Sequence, residues 1–263
     1  MAIKRRSFLK LTGLTLLGST ISGIVGNLLT RGEVKAKGYT LPPEALVGKR
    51  WAMVIDVKKC KEARATCGTK CIEVCHALHN VPSISDKKRE IKWIWEDTFE
   101  HAFPEQAEKY LEEFFHGTPF LLLCNQCDNP PCVRVCPTRA TFKREDGIVM
   151  MDFHRCIGCR FCMAACPFGA RSFNWFDPRP YIKKVNPEYP TRMKGVVEKC
   201  LFCYERLAQG KIPACVEACP EKALIFGDLA DENSEVSKIL KERVAIRRKA
   251  ELGTRPSVFY LIG

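Results

Sequence analysis

The chain has 263 residues, 46% of them hydrophobic, with sixteen cysteines and a formal charge of +12. That length holds one large domain or two small ones, with enough apolar content for a core. The cysteine count first reads as a disulfide scaffold and the charge as nucleic-acid or membrane binding, but the placement of the residues argues against the disulfide and nucleic-acid readings.

The amino terminus reads as an address. MAIKRRSFLK is basic, residues 11–29 are apolar and uncharged, and Val34-x-Ala36 has the small-residue form of a cleavage site. Arg5-Arg6, followed by Ser7, Phe8 and Leu9, resembles a twin-arginine signal. An ordinary secretory signal and an uncleaved anchor are the competing readings, because the apolar run is long enough to span a bilayer. Twin-arginine signals mark proteins exported already folded, usually with a cofactor installed, so cysteines behind one read as ligands rather than disulfides. Removal of residues 1–36 takes away six basic side chains and one acidic one, leaving about +7. Four cubane clusters with their thiolates would carry about −8, which leaves the loaded protein near neutral and removes the support for nucleic acid.

WAMVID, residues 51–56, is a short apolar strand that reaches the first cysteine run through two lysines. That run is Cys60-x6-Cys67-x3-Cys71-x3-Cys75, with His76 in the place where the later runs carry proline. Its wide first gap, KEARAT, is expected to be a longer loop, which closure entropy tolerates because that cost grows slowly with length. His76 and His79 raise a mixed His/Cys site, but the sixteen cysteines form four runs of four without them. In residues 104–116, Ala107, Tyr110, Leu111 and Phe114 share one face of an expected helix that opens at Pro104 and stops at Gly117. Sealing a cluster from water is its expected role, ahead of docking a partner.

The second run is Cys124-x2-Cys127-x4-Cys132-x3-Cys136-Pro137, with the turn-forming Asp128-Asn129-Pro130-Pro131 in its longer loop. GIVMMD is a second short strand, leading to Cys156-x2-Cys159-x2-Cys162-x3-Cys166-Pro167. This is the bacterial ferredoxin spacing, in which the first three thiolates hold one [4Fe–4S] cluster and the fourth reaches another. A lone CxxC would read as zinc; four ordered cysteines before proline do not. Residues 171–195 read as a linking loop. The last run is Cys200-x2-Cys203-x11-Cys215-x3-Cys219-Pro220. An apolar stripe of Val236, Ile239, Leu240 and Val244 then predicts a helix ended by Gly253, with Arg243, Arg247, Arg248 and Lys249 on a solvated face. Strand, cysteine loop and short helix recur as a unit too small to bury a core alone.

The strings CDNPPCVRVCPTRAT, CRFCMAACPFGARSFNW and KCLFCYERLAQGKIPACVEACP resemble four-cluster ferredoxin-like electron-transfer subunits of respiratory membrane complexes, over essentially the whole chain beyond Arg50. With a twin-arginine signal, the chain is most similar to the periplasmic-side iron–sulfur subunit of the sulfite-reductase-associated, heterodisulfide-reductase-related transmembrane complex. The resemblance implies an α+β fold of two linked ferredoxin-like units around four [4Fe–4S] clusters. It also implies four ligand sets: Cys60, Cys67, Cys71 with Cys219; Cys200, Cys203, Cys215 with Cys75; Cys124, Cys127, Cys132 with Cys166; and Cys156, Cys159, Cys162 with Cys136. An empty Cys60 site would leave three clusters.

The expected divisions are a signal at 1–36, an outer unit at 37–119, an inserted inner unit at 120–195 and the rest of the outer unit at 196–263. The implied function is to pass single electrons between a quinone-interacting integral membrane subunit and a multihaem cytochrome c or other redox subunit, in sulfate- or sulfite-linked anaerobic respiration. The implied place is the periplasmic or extracytoplasmic membrane face, held there by partners or an uncleaved signal. No catalytic residues stand out, and no nucleic acid is expected as partner. The alternatives are an electron-transfer subunit of a molybdopterin oxidoreductase or hydrogenase, a catalytic subunit with a second cofactor, and a structural zinc or disulfide scaffold.

Overall fold

The computed structural model describes residues 41–107 and 113–262. The expected amino-terminal signal, residues 1–36, lies outside the described residues. WAMVID forms β1 (Trp51–Asp56), buried along its whole length. A strand with both faces buried needs partners on both edges, and β1 has them from distant parts of the chain. It pairs antiparallel with β8 (Leu224–Asp228) and parallel with β10 (Val258–Leu261). The sheet order is β8-β1-β10-β9, with β9 at Ala245–Ile246. The segment before the first cysteine run is thereby tied to the segments after the last. Three two-stranded ribbons complete the strands: β2 (Ile94–Asp97) with β3 (Phe120–Leu123), β4 (Thr141–Lys143) with β5 (Val149–Met151), and β6 (Ser172–Phe173) with β7 (Val197–Glu198). Residues 174–196 run as a long loop between the paired β6 and β7. The whole is α+β, built from short strands and short helices.

The stretched first run corrects the expected loop. KEARAT lies inside helix α1 (Val57–Cys67), whose Asp56 N-cap side chain accepts from the Lys59 amide at 3.0 Å. Gly68, at φ +56, ends α1, and α2 (Lys70–Leu78) follows. Lys61, Glu62, Ala63 and Arg64 are good helix formers, so the inserted residues add turns instead of slack. The remaining helices are single turns apart from the last: α3 (Phe99–Ala102), α4 (Pro131–Arg134), α5 (Phe161–Ala164), α6 (Tyr204–Leu207), α7 (Ala214–Glu217) and α8 (Glu235–Glu242).

Two helix expectations are also corrected. The helix expected from Pro104 is a 3-10 turn, Pro104–Gln106, and Ala107 leaves helical space at φ −82, ψ 83. Tyr110, Leu111 and the Phe114 side chain lie outside what is described. Phe99, Phe103, Phe115 and Phe120 pack ring against ring, and Tyr260 joins through Phe103 and Phe120. The carboxy-terminal helix stops at Glu242, because Arg243 turns extended and pairs with Asp56, and Val244 is exposed before β9. Its basic residues do not form a solvated face. Arg248 is buried, Arg247 lies over the Phe259 ring, and Lys249 Nζ lies 3.9 Å from Glu105 Oε1.

One buried polar network ties the loops together. Arg192 donates from Nε to Glu198 at 2.7 Å and from Nη2 to the Asn80 carbonyl at 2.8 Å, and Trp93 Nε1 donates to Glu198 at 2.9 Å. Both charges are almost wholly buried. Removing one partner of such a pair strands the other, at a cost of about 3–5 kcal/mol. Glu198→Gln is therefore expected to lower the thermal midpoint of the loaded protein by more than about 6 °C. A midpoint within a degree of wild type in a calorimetric scan would contradict this.

Candidate metal centres

All sixteen thiols are free, and the folding of the runs gathers them in fours. Cys60, Cys67 and Cys71, from α1 and α2, line one cavity with Cys219, which follows α7. Cys124, Cys127 and Cys132 line a second with Cys166. Cys156, Cys159 and Cys162 line a third with Cys136. Cys75 is enclosed with Cys200, Cys203 and Cys215, close enough for the four charges to act on one another. Each set draws three cysteines from one run and one from another. The helical insertion still leaves Cys60, Cys67, Cys71 and Cys219 lining one shared cavity.

Local geometry explains how tight loops aim these sulfurs. Gly158, inside Cys156-x2-Cys159, has φ +70, and a Cβ there would collide with the Gly195 carbonyl oxygen. The single-turn helices α4, α5 and α7 carry Cys132, Cys162 and Cys215. Leu121 lines the Cys60 cavity, and its carbonyl accepts from the Tyr260 hydroxyl at 3.0 Å, so the aromatic group stands behind that site.

The sets are also ordered. Charge on Cys71 acts on Cys215, charge on Cys124 acts on Cys200, and charge on Cys132 acts on Cys162. The Cys60 set therefore neighbours the Cys75 set, which neighbours the Cys124 set, which neighbours the Cys136 set.

Burial pushes most of these thiols up. Cys60 rises to about 12, through burial and then Cys71 and Cys219, and Cys71 rises to about 11. Cys127 and Cys200 each rise to about 12. Cys136 differs: burial opposes it, but hydrogen bonds from Thr141 and Thr138 hold it below the usual thiol range. Crowded thiols of this kind become thiolates only around a cationic core.

Three buried cations supply the complementary signal. Arg171 is 5% exposed and donates to Cys132 Sγ at 3.1 Å and Thr141 Oγ1 at 3.1 Å. Lys199 is fully buried and donates to the carbonyls of Val149 and Cys200. Arg248 is 4% exposed and donates to the Ala102 carbonyl at 2.9 Å. Among the described residues, none of the three forms a salt bridge with a carboxylate. Buried charges require compensation, and a [4Fe–4S] group with four thiolates carries about −2. The donor sets and the cations fit that group.

His76 and His79 have other partners, although His79 Nδ1 also lies 3.7 Å from Cys75 Sγ. His79 Nδ1 lies 2.8 Å from the Cys75 carbonyl and its Nε2 lies 2.7 Å from Glu205, while His76 Nε2 contacts the Ile94 carbonyl at 3.2 Å. Arg171, Lys199 and Glu205 do not stand out in the sequence as members of the sites. The available signal is position: Lys199 precedes Cys200, and Arg171 follows the Cys166-Pro167 turn closely.

These sites define an iron–sulfur protein of the ferredoxin-like class. Residues 118–185 match one family described as a 4Fe-4S dicluster domain, and residues 155–224 match a second of the same description. The chain is 42% identical to the Hdr-like menaquinol oxidoreductase iron-sulfur subunit 1 of Archaeoglobus fulgidus, over 98% of this chain and 97% of that one. It is 39% identical to the menaquinone reductase iron-sulfur cluster-binding subunit of Nitratidesulfovibrio vulgaris, over 81% and 88%. It is 36% identical to the B subunit of tetrathionate reductase from Salmonella typhimurium, over 99% and 89%. The chain belongs to this family of four-cluster [4Fe–4S] electron-transfer subunits.

Thiols that bind protons more tightly surrender iron at higher pH. Because Cys60 and Cys71 are both pushed up, whereas in the other set Cys162 is raised but Cys136 is held down, acidification should empty the Cys60 set before the Cys136 set. Iron analysis and electron paramagnetic resonance during stepwise acidification check this, with Cys67→Ser marking the Cys60 signal. Loss of the Cys136 signal first would contradict it.

Proposed function

We propose that this chain conducts single electrons along four [4Fe–4S] clusters, between a quinone-reactive integral membrane subunit and a multihaem cytochrome c or another redox subunit. The observation that carries this reading is the unbroken succession of four thiol sets, with buried cations that form no salt bridge among the described residues. Cys60, Cys67, Cys71 and Cys219 would hold one cluster, and Cys75, Cys200, Cys203 and Cys215 the next. Cys124, Cys127, Cys132 and Cys166 would hold the third, and Cys136, Cys156, Cys159 and Cys162 the fourth. The clusters supply one-electron redox chemistry. The chain's own part is to fix the thiols, exclude water with buried aromatic and apolar side chains, and set the charge around each site.

Residues 120–195 form the inner unit of this reading, inserted between the outer parts 37–119 and 196–263. The quinone partner is supported by the likeness to menaquinol and menaquinone enzymes. A sulfate- or sulfite-linked pathway is the finer reading we infer from the sequence strings. The likeness to a tetrathionate reductase favours a second reading, in which the partner reduces another sulfur oxyanion. Export by the twin-arginine route to the extracytoplasmic membrane face rests on Arg5-Arg6 and the apolar run behind them.

Anaerobic purification from solubilised membranes tests the reading. The chain should carry about sixteen irons, co-purify with a polytopic membrane protein and be reduced by a menaquinol analogue. Cys67→Ser should lower the iron by about four. A fully loaded wild type with about twelve irons, unchanged by Cys67→Ser, would show the Cys60 site empty.

A further inference from the structure

The charged side chains around the four sets are not evenly shared. Arg171 donates to Cys132, and its charge also acts on Cys124 and Cys162. Lys199 faces Cys124, Cys200 and Cys132. Arg248 faces Cys166 and contacts the carbonyl of Phe168, which lines the same cavity, while Asp97 and Glu105 also act on it. All three buried cations thus act on the set of Cys124, Cys127, Cys132 and Cys166.

The outer sets meet carboxylates. Glu205 acts on Cys75, Cys200 and Cys203, and its Oε2 is buried without a hydrogen-bond partner, although its Oε1 lies 2.7 Å from His79 Nε2. The set also meets Lys199 at Cys200 and Arg206 at Cys203. Glu96 acts on Cys60 and Cys71, although Arg64 pairs with it. Arg171 also acts on the Cys136 set, directly through Cys162.

Adding an electron to a cluster adds negative charge, which a nearby fixed cation stabilises and a nearby carboxylate opposes. We propose that Arg171, Lys199 and Arg248 make the cluster of Cys124, Cys127, Cys132 and Cys166 the first of the four to be reduced, while Glu205 holds its Cys75 neighbour at a lower potential. This ordering rests on the ligand sets proposed above. The step is one electron, taken from a neighbouring cluster that is oxidised as it gives it up. No bond forms or breaks, and no proton moves. The initial electron comes from a quinol-class donor, or from dithionite in the test.

The test is a redox titration of the anaerobically purified, fully loaded protein, followed by electron paramagnetic resonance. The signal that appears at the highest potential should be the one altered by Cys132→Ser. Arg171→Met should move that signal to lower potential by more than any other, Arg171→Lys should restore most of the shift, and Glu205→Gln should raise a different signal. The ordering is overturned if the first signal survives Cys132→Ser and is lost in Cys67→Ser or Cys215→Ser. It is also overturned if iron-replete Arg171→Met titrates as wild type. Should Arg171→Met lose iron, the wild-type assignment through Cys132→Ser still decides. An iron content well below about twelve would sink the ligand sets, whereas a fully loaded protein with the first electron elsewhere sinks only the ordering.

Discussion

The structure depends on charge compensation in a dry interior. Sixteen thiols are drawn into four crowded sets, and three cations are buried beside them with no salt bridge to a carboxylate among the described residues, although Asp97 and Glu105 act on Arg248 from further off. Neither group is stable there alone, because desolvation penalises each charge. Arg192 and Glu198 show the other solution, a buried pair that neutralises itself. At the thiol sets the balance has to come from iron.

The backbone is arranged to serve that requirement. Among the described residues most helices are single turns, several of them placing one cysteine each, and three of the four sheets are two-stranded ribbons. Such elements bury little surface by themselves. The exception is the sheet centred on β1, which joins the start of the folded region to β8 and β10 from its end. Sets that mix cysteines from two runs perform the same joining at the sites.

The four cysteine runs are legible because ligand spacing is a local property that a sequence displays directly. Which run lends its fourth cysteine to which is not local, and only the family resemblance suggests it. The fold class follows from the repeated strand, cysteine loop and short helix. What stays hidden depends on distant or competing partners. The helical state of KEARAT is decided by helix formers and an Asp56 cap that the cysteine spacing obscures. Arg248 looks like part of a basic surface because its burial comes from Ala102 and Phe168, far away in the chain. Val244 continues an apolar stripe that the pairing of β9 with β10 cuts short.

Shared ligation between distant runs is the central claim, and one comparison tests it most directly. Cys67→Ser and Cys219→Ser lie in different runs but in one set. Electron paramagnetic resonance of the two reduced, anaerobically purified variants should show loss or alteration of the same cluster signal. Alteration by Cys219→Ser of the signal that Cys203→Ser affects, with the Cys67→Ser signal left intact, would contradict the account.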